Sequence, residues 1–128
     1  MNKQQATLAH FVSAQQLQAI RALAKGEEAA FFANALTELQ QTIDTMPLVY
    51  EQDGKGDETV AFLHYFKGGF DWYITERDFT DEQYQAFGLV SGQCLELGYV
   101  SIIELMSVGA EIDLHWTPKT LGEIKANR

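Results

Sequence analysis

Two adjacent glycines, Gly68 and Gly69, separate two runs rich in β-branched and aromatic residues, "TVAFLHYF" and "DWYITERD". The central positions of a two-residue hairpin turn favour positive φ, which glycine adopts without steric cost. The pattern therefore predicts an antiparallel hairpin. A turn of this length also fixes the register of the two strands, which constrains how the rest of the chain can pack.

The predicted register divides the hairpin into two sides. The pairs on one side are Tyr65 with Trp72 and Leu63 with Ile74. They are apolar, so we expect this side to lie on the core. The pairs on the other side are His64 with Tyr73, Phe62 with Thr75, and Phe66 with Asp71. This second side is mixed in character, and we expect it to be half exposed.

Two helices are predicted before the hairpin. Ser13 and Gln16 form a capping box that starts the first helix, and Gly26 suits the position just past its end. The second helix carries an apolar stripe and ends before Pro47. Residues 1–45 then form a helical hairpin. A single long helix is the alternative, at a cost of about 1 kcal/mol for Gly26 in its interior.

The remainder of the chain predicts short strands and short helices. Strand patterns occur in "LVYE", "AFGLVSG", "CLELGYVS" and "AEIDLHW", and capping boxes occur in "TDEQ" at 80–83, at Ser101 and at Thr120. We therefore predict one α+β domain over residues 1–128. Its N-terminal helical hairpin (1–45) packs on a twisted, mainly antiparallel sheet of four to six strands, which residues 46–128 form together with short helices.

Charge is the feature of composition that bears most on function. Nine Lys and Arg oppose eighteen Asp and Glu, which gives a net charge of −9, and residues 46–128 alone carry −8. Such a surface repels nucleic-acid phosphates and anionic membranes, so we predict neither direct nucleic-acid binding nor membrane binding. It attracts basic protein surfaces. Acidity that serves only solubility is the alternative.

The cellular compartment is predicted from the targeting and membrane features that the sequence lacks. No apolar run approaches the roughly 18 residues of a membrane span, and the first residues have no secretory core. The single cysteine, Cys94, forms no internal disulfide, which fits the cytoplasm. We expect Cys94 to be a small buried side chain.

Candidate chemical groups lie on the polar side of the predicted sheet. His64, Tyr73, Asp113 and His115 could form a ligand face, and zinc favours imidazole and carboxylate ligands. Their spacing is not diagnostic of a metal. Possible carboxylate pairs arise by chance among eighteen acids, and glycine-rich phosphate-binding loops and nucleophile motifs are missing. We therefore predict a protein without cofactor or metal and without catalytic residues; a small-molecule or metal binder, or an enzyme, is the alternative.

The order of four segments resembles a known family. "FDWYITERD", "FGLVSG", "ELGYVSIIEL" and "EIDLHWTPKTLGEI" are similar to an uncharacterised bacterial family, domain of unknown function 2958, over roughly residues 60–125. Its members are small acidic proteins, many encoded on plasmids, phages and other mobile elements. Ile112 stands where the family pattern has arginine. The resemblance implies no established activity, but it favours roles in plasmid or phage biology, including interference with host defences.

The predicted function is that of a non-enzymatic binding protein whose acidic face engages a basic protein. The sharpest version is a nucleic-acid mimic that acts on a defence or DNA-processing protein. Residues 51–82 hold nine acids and three bases, net −6. The residues predicted to bind the partner are Glu51, Asp53, Asp57, Glu58, Asp78, Asp81 and Glu82. A homodimer formed through the N-terminal helices is a further expectation.

Overall fold

The fold is α+β, as the sequence predicts. The computed structural model describes residues 8–78 and 85–127. The helices are α1 (Ala14–Leu23), α2 (Ala29–Thr45), α3 (Ile102–Ser107) and α4 (Leu121–Ala126). The strands are β1 (Val60–Ala61), β2 (Leu63–Lys67), β3 (Phe70–Arg77), β4 (Gln85–Ser91), β5 (Leu95–Ser101), β6 (Glu111–Ile112) and β7 (Lys119–Thr120). The capping box predicted at 80–83, with Asp81 and Glu82, lies outside the described residues.

Five strands form one antiparallel sheet in the order β5-β4-β3-β2-β6, while β1 pairs with β7 in a separate ribbon. The hairpin prediction is confirmed, since Gly68 and Gly69 have φ of 54° and 87° and β2 pairs with β3 in the predicted register. One predicted pair is wrong. Phe62 does not pair with Thr75 in the ladder, because the strand is interrupted at Phe62 and β3 shifts register at Thr75.

The helical hairpin packs on one face of this sheet, also as predicted. Apolar side chains of α1 and α2 join those of β2 and β3 in the main core: Leu17, Ile20, Ile43, Leu63, Tyr65 and Ile74. Ser13 caps α1 by accepting a hydrogen bond from the N–H of Gln16 (3.2 Å). The Gln16 side chain does not return to Ser13, because it binds the backbone of Ile112 instead. Ile112 is itself buried in this core.

The opposite face of the sheet carries a second, smaller core. It is formed by Leu89 of β4 together with Ala61 of β1 and with Leu121 and Ile124 of α4. The predicted capping box at the start of α4 is complete, and the N–H groups of Thr120 and Glu123 each bind the other residue's side chain. Among the described residues, no helix is both long and apolar enough to cross a membrane.

Three local predictions are wrong. "LVYE" forms a single bridge, from Leu48 to Arg77, and not a strand. The strand predicted in "AEIDLHW" ends at Ile112, because the Asp113 carboxylate accepts the N–H of His115 (2.8 Å) and turns the chain. Cys94 is exposed and not buried.

Candidate functional site

The segment 48–59 is joined by hydrogen bonds to the last residues of β3. The N–H of Arg77 donates to the carbonyl of Pro47, the residue just before the segment (3.0 Å), and the N–H of Val49 donates to the carbonyl of Arg77 (3.0 Å). These bonds place an acidic segment beside another acidic stretch, residues 76–78, which is distant in sequence. We call residues 48–59 and 76–78 together the acidic end.

Gln52 holds this segment in place. Its side-chain amide donates to the carbonyls of Val60 and Thr75 (2.9 Å each), and its Oε1 accepts the N–H of Val60 (2.8 Å). Its own N–H donates to the carboxylate of Glu76 (3.2 Å). Gln52 is buried, so these bonds replace water and fix the start of the segment against β3.

A β-bulge at Thr75 determines where the neighbouring side chains lie. The bulge shifts the register between Ile74 and Glu76, so that Glu76 pairs with Phe87 and Arg77 pairs with Ala86. Glu76 then lies on the face of the sheet away from the helices. Arg77 lies beneath α2, where its Nε donates to the carbonyl of Ile43 (2.7 Å). Adjacent strand residues always point to opposite faces, so the bulge determines which face each of these two charged side chains occupies.

A cavity of about 220 Å³ lies between the acidic end and the sheet. Its walls include apolar side chains from β4, β5 and α4, namely Phe87, Leu97 and Leu121, and its polar lining includes Gln52, Thr75 and Glu76. Glu76 is only 4% exposed. The Thr75 hydroxyl donates to its Oε2 (2.9 Å), and the Gln52 N–H binds Oε1. The cavity thus combines apolar walls with one enclosed carboxylate.

One of the predicted partner-binding acids, Asp53, lines this cavity, and the other described ones lie elsewhere in the acidic end. Glu51, Asp53, Asp57 and Glu58 are exposed, and Asp78 is half-buried at the end of β3. Two of them have further roles. The Glu51 carboxylate accepts the N–H of Leu48, and Asp57 forms an ion pair with Lys125 (2.7 Å). Asp81 and Glu82 belong to the part of the chain that is not described.

Two exposed tyrosines extend this site to the edge of the sheet. The hydroxyls of Tyr50 and Tyr99 lie 2.7 Å apart. This hydrogen bond raises the pKa of Tyr99 above its ordinary value; partial desolvation adds to the effect, as do the nearby hydroxyl of Tyr50 and the carboxylates of Glu76 and Asp78. Tyr50, which lines the cavity, therefore links the acidic end to β5 through this hydrogen bond.

The alternative ligand face is only partly assembled. The His64 ring lies between two carboxylates, with Nε2 2.7 Å from Asp71 and Nδ1 2.9 Å from Asp113, and it stacks on Tyr73 (4.8 Å between centroids). Since ionised carboxylates only accept, both contacts are hydrogen bonds when the ring carries both protons. Both nitrogens are engaged, which leaves His64 no nitrogen for a metal or a substrate.

His115, the fourth predicted member of that face, lies elsewhere. The turn at Asp113 directs it toward α2, where it stacks on Phe31 (5.2 Å). Trp116, and not His115, lies beside His64, with 5.1 Å between their ring centroids, and its indole N–H donates to the carbonyl of Ala61 (3.1 Å). In the described part of the chain, no group of three His, Cys, Asp or Glu side chains is arranged to hold a metal ion.

Sequence reasoning missed three residues of these sites. Gln52 carries no motif, the predicted register gives Asp71 only as the partner of Phe66, and Trp116 belongs to a strand pattern that in the structure ends at Ile112. The bulge at Thr75 has no glycine to mark it in the sequence. Comparison with protein families, curated proteins and solved structures gives no match for this chain.

Proposed function

We propose that this protein is a non-enzymatic binding protein of the cytoplasm whose acidic end engages a basic surface on a partner protein. The observation that carries the proposal is the joining of residues 48–59 to the end of β3, which concentrates acids from two parts of the sequence. Within the acidic end, Lys55 is the exposed base, because Arg77 is buried beneath α2. Complementary charge accelerates encounter with a basic partner and selects against acidic ones.

The sharpest form of this proposal is a nucleic-acid mimic. Exposed carboxylates can occupy the places of phosphates on a protein that handles nucleic acid, and the same charges repel nucleic acid itself. The resemblance to a family of small acidic proteins on mobile elements favours a host defence or DNA-processing protein as the target. A ligand binder or enzyme that uses His64 has less support, because both ring nitrogens are engaged by Asp71 and Asp113.

The experiment is a pull-down from bacterial lysate on the immobilised protein, with elution by salt from about 0.1 M to 1 M and identification by mass spectrometry. The test variant is Asp53→Lys with Glu58→Lys, which leaves the Asp57 ion pair intact. The control is Glu27→Lys with Glu28→Lys, an equal charge change at exposed positions between α1 and α2.

We expect one basic, nucleic-acid-handling protein that elutes as salt rises, is lost with the test variant and is retained with the control. Equal retention by both variants would count against the acidic end as the interface. A partner that resists about 1 M salt would count against an electrostatic mode of binding, because exposed charges are screened within about 3 Å at that concentration.

A further inference from the structure

Glu76 differs from the other acids of the acidic end because it is enclosed. Only 4% of the residue is exposed, and it lines the cavity of about 220 Å³. Among the described residues, its hydrogen-bond partners are the N–H of Gln52 and the hydroxyl of Thr75, and both are neutral. A carboxylate enclosed in this way carries a charge that no cation of the described chain offsets.

Physical chemistry makes this arrangement unusual. An enclosed charge is ordinarily paired, since removing it from water carries a large penalty. A carboxylate has about four lone-pair sites, of which the Gln52 and Thr75 contacts use two. The other two are available to a donor that enters the cavity. The group that best satisfies the remaining lone-pair sites of Glu76 is a cation that donates hydrogen bonds.

We propose that this cavity receives the side chain of one lysine or arginine from the partner protein, with Glu76 binding its cationic head. The inference rests on the proposed function and names the contact that the acidic end makes. It accounts for an enclosed carboxylate, held by Gln52 and Thr75, in a cavity that also has apolar walls.

The cavity has the size and the lining chemistry that a long basic side chain requires. Its volume lies below the roughly 300–1,000 Å³ of pockets that hold drug-sized ligands, so it suits a single side chain. The aliphatic stem would contact the apolar walls formed by Phe87, Leu97 and Leu121.

The surroundings of the cavity favour a side chain delivered by a protein. Leu97 and Tyr50, which also line it, are 56% and 72% exposed and form an apolar rim. Apolar and aromatic side chains around an enclosed charged contact are typical of the centre of a protein interface, where they exclude water.

The test uses capped amino acids as probes on the full-length protein. Nα-acetyl-lysine amide and Nα-acetyl-arginine amide carry the proposed head group, and Nα-acetyl-norleucine amide has a similar stem without charge. Binding is followed by NMR through the methyl groups of Leu97 and Leu121 and the ring of Phe87. The variant is Glu76→Gln, and Glu111→Gln is a control with the same charge change at an exposed position.

We expect the lysine or arginine probe to bind at least tenfold more tightly than the norleucine probe, since a charged hydrogen bond is worth about that ratio or more. Glu76→Gln should abolish the difference, and Glu111→Gln should preserve it. Equal binding of the charged and neutral probes would overturn the proposal. The absence of any chemical-shift change at about 20 mM probe would do the same, because tenfold-selective binding in the millimolar range is visible at that concentration. So would putrescine binding tenfold more tightly than capped lysine, which would assign the cavity to a free amine.

A second variant keeps the test decisive if Glu76→Gln does not fold. Leu97→Lys places a lysine at the rim of the cavity, where it competes with the probe, and should weaken the capped lysine at least tenfold. Gln93→Lys, an exposed change of equal charge, should leave binding unchanged. Equal affinity in both lysine variants would contradict the proposal.

The two proposals fail separately. A salt-released partner that depends on Asp53 and Glu58, together with probes that do not distinguish lysine from norleucine, would leave the binding function standing and remove the role of the cavity. Selective binding of capped lysine without a salt-released partner would leave the cavity as a site for a basic side chain and remove the proposed binding function of the exposed acids.

Discussion

The side chain of Gln16 pairs with the backbone of Ile112 as a neighbouring strand would. Its Nε2 donates to the carbonyl of Ile112 (2.8 Å) and its Oε1 accepts the N–H (2.9 Å). Ile112 belongs to β6, the last strand on its side of the sheet. One glutamine on α1 therefore satisfies backbone groups that a sheet leaves unpaired at its edge.

Removing this pairing should destabilise the fold. We expect Gln16→Ala to lower the free energy of unfolding by about 2 kcal/mol, because two backbone groups of a buried residue lose their partners. Urea unfolding measures the change, with the exposed Gln18→Ala as control. A loss below about 0.5 kcal/mol, the usual range for surface substitutions, would show that water replaces the glutamine.

Gln52 should keep the acidic end in its folded conformation. We expect Gln52→Leu to lower the free energy of unfolding by about 2–3 kcal/mol, because the two carbonyls and the one N–H that its side chain binds stay unsatisfied. Amide hydrogen exchange should accelerate in residues 48–59 and not in α1. Uniform acceleration over the whole chain would instead indicate a general loss of stability without a local role.

Gly88 and Gly98 face each other across β4 and β5 and offer a matched pair of substitutions. A Cβ on Gly88 would lie 2.1 Å from the carbonyl oxygen of Tyr73, whereas a Cβ on Gly98 meets nothing within 4 Å. We expect Gly88→Ala to cost about 3 kcal/mol or more, at the upper end for overpacking. Gly98→Ala should be neutral or stabilise by about 0.5–1 kcal/mol. Thermal unfolding of both variants checks this, and similar melting temperatures would contradict the close approach of β3 to β4.

Tyr65 should make the fold sensitive to alkali. Complete burial raises the pKa of Tyr65 far above its ordinary value, and its hydroxyl donates to the carbonyl of Phe11. Because the folded pKa is raised, Tyr65 contributes its full stabilisation below the unfolded pKa of about 10, and the contribution falls as pH rises above that value.

The measurement is urea unfolding of wild type and Tyr65→Phe between about pH 8 and pH 11. At pH 8 we expect the variant to be less stable by about 1 kcal/mol, for the lost hydrogen bond. Above pH 10 the difference should shrink, because the wild type alone must keep a buried hydroxyl protonated. A difference that is constant across this range would mean that Tyr65 ionises freely in the folded protein.

Local signals in the sequence predicted much of this fold. The register of β2 and β3 followed from Gly68 and Gly69, and the starts of α1, α3 and α4 followed from Ser13, Ser101 and Thr120. Each of these features depends on residues within a few positions of one another. Turn and cap chemistry is therefore enough to predict them without knowledge of tertiary contacts.

The candidate site depended on contacts that the sequence does not display. The bulge at Thr75 depends on how β3 pairs with β4, and Gln52 binds Thr75 and Glu76, which lie more than twenty residues further along the chain. Periodicity also gave a wrong prediction at Asp113. The alternation of apolar and polar residues predicted a strand, but the Asp113 carboxylate stabilises a turn there, so that His115 lies away from His64. Acid-rich composition predicted which residues are charged, but not that, among the acids in the described ranges, Glu76 would be the one enclosed.

The pairing of Gln16 with Ile112 bears on how copies of this chain can associate. In the described residues, β6 is covered by a glutamine, whereas β5 pairs with β4 and with no strand on its other side. A sheet with two open edges can add molecules without limit and grow into a fibre. Here two copies joined along β5 would each turn outward an edge at which Gln16 covers Ile112, which opposes further strand pairing at that residue.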